Sequence, residues 1–194
     1  MASLLEALTQ HVTGSALQHV SRQLGTDEAT TSGAIGAALP MILAALAKNA
    51  SRADGADALN RALQKDHDGS VLNDVGGAVN GYASGPGAAI LKHVFGGKQD
   101  AVAAGVGQAA GLDASKAGAL LTMLAPVVMG ALGKARRSGG LDAGGLAAML
   151  GEEQAAIAPR AGGLGSLLSM LDADKDGSVV DDVLGMAAKF LGKR

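Results

Sequence analysis

Leu39-Pro40-Met41-Ile42-Leu43-Ala44-Ala45-Leu46-Ala47-Lys48 is followed, 86 residues later, by Ala125-Pro126-Val127-Val128-Met129-Gly130-Ala131-Leu132-Gly133-Lys134. Around both stretches the apolar residues recur at three and four rather than at two, and no run of alternating β-branched residues bounded by turns occurs, so the chain reads as all-α. A proline inside such a segment removes a helix hydrogen bond and crowds the preceding turn. Each segment is therefore expected to break into two helices or to kink.

The same offset aligns Gly25 with Gly111, Asp27 with Asp113, and upstream Leu4, Leu5, Leu8 and Val20 with Ile90, Leu91, Val94 and Val106. A second string, Asp66-His67-Asp68-Gly69-Ser70-Val71-Leu72-Asn73-Asp74-Val75, returns as Asp174-Lys175-Asp176-Gly177-Ser178-Val179-Val180-Asp181-Asp182-Val183 at an offset of 108. The reading is a tandem duplication of short helices joined by Gly-rich turns. Residues 1–83 form the first repeat, 84–87 (Ser84-Gly85-Pro86-Gly87) a joint, and 88–194 the second repeat. The 22 extra residues of the second repeat fall near 152–163, and the two repeats can form one domain.

Helix ends are marked locally. Ser3 with Glu6 spells a capping box for a helix carrying Leu4, Leu8 and Val12 on one stripe. Ser15 is placed to cap the next helix, with Leu17, Val20 and Leu24 inward and Gly25 at its end. Asp27, Glu28 and Asp113 suit the positive start of the helices that follow.

Composition narrows the function classes. Hydrophobic residues make up 48% of 194, enough to bury a core, while aromatics are only 2% and glycines number 30, so the core must come from Ala, Leu, Val, Ile and Met with close backbone approach. The formal net charge of −2, with scattered basic residues and few aromatics, argues against nucleic acid and against a polybasic lipid patch. With no cysteine there is no disulfide framework and no thiolate site. The first residues lack a basic region followed by an apolar one, so the expectation is a cytoplasmic protein.

The acidic strings are the strongest candidates for chemistry. Asp172, Asp174, Asp176, Gly177 and Ser178 follow the first half of a D-x-D-x-D-G calcium loop, in which alternate carboxylates supply hard oxygens and glycine permits the sharp turn. Position 12, normally a bidentate Glu, is Val183, leaving Asp182 or Asp181 to close the site. The first copy offers Asp66, Asp68, Ser70 and Asp74, with Gln64 in place of the first Asp. A helix cap accounts for the same letters without metal: Ser70 and Ser178 as N-caps, Asn73 and Asp181 three residues on, Asp74 and Asp182 in the first turn. The cap is favoured, calcium is the alternative, and no other cofactor is expected.

Two uncharged stretches, Ala29 to Ala47 and Ala117 to Gly133, approach membrane-spanning length, and Lys134, Arg136 and Arg137 flank the second. Each contains proline near its middle, which favours a soluble core. His11, His19, His67 and His93 lack zinc-protease spacing, and no Gly-x-Ser-x-Gly elbow is present, so no enzyme is expected. Glu152 and Glu153 read as a solvated helix face.

Finally, Ala89-Ile90-Leu91-Lys92-His93-Val94-Phe95-Gly96-Gly97-Lys98-Gln99, then Gly111-Leu112-Asp113 and Leu121 to Gly133, resembles the YidB-like family of uncharacterised bacterial proteins, as does the closing Leu171 to Ser178 segment. The resemblance covers the second half well and the first only through the internal repeat. It implies a bacterial, helical, non-enzymatic protein. Within it, Phe95 is expected to pack and Gly96-Gly97 to end a helix. The expected function is a soluble helical protein acting on a protein partner or on itself as a homo-oligomer, with calcium binding and membrane association as alternatives.

Overall fold

The computed structural model describes residues 3–157, which form α1 (Leu4–His11), α2 (Ser15–Leu24), α3 (Glu28–Ala50), α4 (Ala53–Lys65), α5 (Val75–Asn80), α6 (Gly87–Phe95), α7 (Gln99–Ala110), α8 (Ala114–Gly139) and α9 (Ala143–Ile157). Short 3-10 turns at Ser70–Asn73, Tyr82–Ser84 and Gly96–Lys98 join some of them, and there is no strand among the described residues.

Most helix boundaries follow the local chemistry. Ser3 and Glu6 make the reciprocal capping box of α1, at 3.1 Å in both directions. Asp27 and Asp113 cap α3 and α8 by accepting from the Thr30 and Lys116 amides, each at 2.8 Å. Gly25 and Gly111 end α2 and α7 in the left-handed conformation, with φ of 60° and 69°, so that the Thr26 and Leu112 amides bond back to the Ser21 and Gly107 carbonyls. Phe95 is buried and closes α6, and Gly96 follows it with φ 56°. One expectation fails: Ser15 is the first residue of α2 rather than its cap, because Gly14 stands before it at φ 59°, a conformation serine would adopt only with strain.

The interior is built on α3 and α8, which pack on each other; α3 also lies against α7 and α9, and α8 against α6 and α7. From Leu39 to Ala47 every residue of α3 is buried, as is every residue of α8 from Val127 to Gly133. A helix that is apolar all round has to be enclosed by other helices, and the amphipathic α1, α2 and α4 supply part of that enclosure through Leu8, Val20, Leu24, Leu59 and Leu63.

Both central helices run without a break through Pro40 and Pro126, so of the two expected outcomes, two helices or a kink, the first does not occur. Each proline deprives one carbonyl, four residues earlier, of its partner. At Gly36 that carbonyl belongs to an exposed residue in open space. At Thr122 it lies against the first residue of α6: a methyl at Gly87 would fall on the Thr122 carbonyl oxygen. The Gly36 carbonyl is on an exposed residue and the Thr122 carbonyl meets glycine backbone rather than a side chain, and neither lost bond breaks its helix. Gly87 opens α6, so the expected joint at 84–87 runs into a helix, and residues 152–157 belong to α9.

By length and composition α3 and α8 could each cross a membrane, with mean hydropathy of 1.6 and 1.5, yet 72% of each apolar window is buried inside the protein.

Candidate functional site

The first acidic loop leaves α4 at Asp66 and re-enters helix at α5. Gly69, at φ 90°, makes the reversal that the Asp-Gly pair foretells. The loop is pressed onto α8. A methyl at Gly133 would fall on the His67 carbonyl oxygen, one at Gly130 on the Val71 side chain, and one at Gly69 within 3.1 Å of the Gly130 carbonyl oxygen and the Lys134 Cβ. Three glycines therefore let loop backbone meet helix backbone directly, the device by which small residues bring segments into close contact.

Two of the loop's three carboxylates, those of Asp68 and Asp74, are turned to the backbone. Asp68 Oδ1 accepts from the Ser70 amide at 2.9 Å, and hydrogen bonding from Ser70, with Arg137 contributing less, holds the Asp68 carboxyl below its ordinary range. Asp74 Oδ1 accepts from the Gly77 amide at 2.8 Å and caps α5. The cap is therefore Asp74, four residues after the expected Ser70, which instead opens the 3-10 turn. Among the described residues no three His, Asp or Glu side chains gather as metal ligands. Asp172, Asp174, Asp176, Ser178 and Asp182 lie outside the described residues.

Beside the loop is a cleft of about 230 Å³ whose walls include Asp66, His67, Ser70, Tyr82, Pro86 and Pro126. Asp68 also lines it, so that His67 and two aspartates share its walls with the one tyrosine of the chain. Burial pushes His67 below its ordinary value, with neighbouring Asp66 opposing the shift. The unfolded chain thus binds this proton more readily than the folded one. The stability tied to His67 is complete above its unfolded value of about 6.5 and is lost as pH falls through the lower folded value. Thermal melts from about pH 8 to about pH 5 should show this loss, and His67→Gln should flatten the profile in that window; an unchanged profile would mean that His67 is as hydrated folded as unfolded.

Several positioning residues were not legible in the sequence. Glu153, expected on a solvated face, is only 8% exposed, and its two carboxylate oxygens accept from the Leu4 and Leu5 amides at 3.0 Å each. Asn49 Nδ2 reaches the Val94 carbonyl at 3.0 Å and so caps the end of α6 from α3. Lys116 donates to the Gly25 carbonyl at 3.2 Å, joining the start of α8 to the end of α2. All three are contacts between residues far apart in the chain, and only the helical capping logic, once the fold is known, explains them.

A family model described as a bacterial protein of unknown function (DUF937) matches residues 6–135. The chain belongs to this family. YidB is itself a DUF937 member, so the resemblance holds, but its extent differs: the match runs through both halves, from α1 into α8, and stops short of the closing Leu171 to Ser178 segment. The DUF937 match includes the whole acidic loop at 66–74 with its seat at Gly130 and Gly133. No curated protein and no solved structure matches the chain.

Proposed function

We propose that this DUF937 protein is a non-enzymatic, soluble helical protein of the bacterial cytoplasm that acts by contact with a protein partner or with a second copy of itself. The observation that carries this reading is the use made of its acidic side chains. Glu6, Asp27, Asp68, Asp74, Asp113, Asp142 and Glu153 each accept a hydrogen bond from a backbone amide, so groups that could have served acid–base or metal chemistry are engaged in architecture. The tandem duplication belongs to the same reading. It is supported by the matching order of a short helix, a helix ended by a left-handed glycine, and an Asp-capped helix with an internal proline, first in α1 to α3 and then in α6 to α8.

Light scattering of the purified protein over a hundredfold range of concentration tests self-association, and affinity capture under native conditions tests a partner. A monomer throughout, with no protein retained, would overturn the proposal. Calcium remains the alternative for the second loop, where Asp172 completes the triad that Gln64 breaks in the first. Calorimetric titration of chelated protein, with Asp176→Ala as control, separates it from the first reading. Membrane association is the remaining alternative, motivated by the length and hydropathy of α3 and α8. Flotation with liposomes tests it.

A further inference from the structure

We propose that α1 and the last turns of α9 open and close as one unit, with the Glu153 carboxylate as the clasp. A helix of eight residues is too short to persist by itself in water. What holds α1 is its apolar stripe, Leu8 and Val12, on one side, and at its start a complete set of amide partners. The Ser3 and Glu6 amides are satisfied within the capping box, and those of Leu4 and Leu5 by Glu153. The clasp therefore supplies half of the acceptors at that end, from a side chain 148 residues further along the chain.

The dependence is mutual. Glu153 is buried among the last turns of α9, between Leu150 and Ile157, which are also buried. Burial takes Glu153 away from water, and the Leu4 and Leu5 amides stand in for it at the two carboxylate oxygens. Without α1 both oxygens lose their donors, and the turns of α9 from Leu150 to Ile157 lose the tie that Glu153 makes to α1. The parts of α3 and α8 that α1 covers are then uncovered. This goes beyond the proposed partner contact and does not depend on it, since the coupling lies within one chain.

Native-state hydrogen exchange on the full chain tests the coupling. Glu153→Gln, which keeps shape but loses the charge and one acceptor, should speed exchange of the amides from Leu4 to Val12 roughly tenfold or more. Leu8→Ala, which loosens α1 from its apolar side without touching the clasp, should speed exchange both in α1 and at residues 153–157 by a similar factor, because coupling between two sites is reciprocal. Exchange in α7 should stay unchanged in both variants. If Leu8→Ala affects α1 alone, or if Glu153→Gln leaves Leu4 to Val12 as protected as before, the two segments are independent and the proposal is wrong.

Discussion

Gly133→Ala should lower stability by about 3 kcal/mol, whereas Gly33→Ala should raise it by roughly 0.5 to 1 kcal/mol. Both glycines sit inside the long central helices, where alanine is the better helix former, so propensity alone predicts a gain at each. At Gly33 the added methyl enters open space and the gain is realised. At Gly133 it falls on the His67 carbonyl oxygen, and a backbone oxygen in a packed loop cannot rotate away as a side chain end can. The loop must lift from α8. Gly130→Ala should lie between the two, since its methyl meets a Val71 side-chain methyl, which is stiff at χ1 but can still give more than a backbone oxygen. Urea unfolding of the three variants gives the order directly. A Gly133→Ala protein as stable as the parent would show that the acidic loop is not seated on α8 in solution.

Leu124→Ala should cost about 3 to 4 kcal/mol, and Leu120→Ala a similar amount. Both side chains are fully buried on α8. The neighbours that line this interior are mostly aliphatic and small, with Phe95 the one buried aromatic among the described residues, so few large side chains are at hand to swing into the void. By contrast Leu17, which is only partly buried on α2, should cost less than half as much on truncation to alanine. At about 2 to 4 °C per kcal/mol for a chain of this size, Leu124→Ala should reduce Tm by around 10 °C. A loss under 1 kcal/mol would mean that α8 is not at the centre of the fold.

What was legible in the sequence was local. The capping box at Ser3 and Glu6, the aspartate caps at 27 and 113 and the left-handed glycines at 25 and 111 each involve residues within one turn of one another, so their chemistry can be read from spacing alone. Where local signals compete, spacing misled. Ser70 looked like a cap because its hydroxyl could serve one; Asp74 is the cap because the close seat of Gly69 on α8 holds residues 70–73 in a tighter turn first. The prolines misled for a related reason. Their penalty is one unpaired carbonyl, and whether a helix breaks over it depends on what stands opposite that carbonyl, which for Thr122 is a glycine 35 residues earlier.

The candidate site shows the same division. Its turn, its glycine and its acidic residues were visible in the repeated string, but their use was not. Asp68 and Asp74 accept from amides two and three residues away, while Glu153, which the sequence placed on a wet face, is drawn inside by amides at the far end of the chain.

The sequence by itself determined the helical class, most of the helix ends and the central place of the two Pro-containing segments, because periodicity and capping act over a few residues. Only the tertiary structure decided that those segments stay unbroken, that the first acidic loop lies backbone to backbone on α8, and that Glu153 completes α1. Each of these depends on which atoms, distant in the chain, come to stand opposite an unpaired amide, an unpaired carbonyl or a missing side chain.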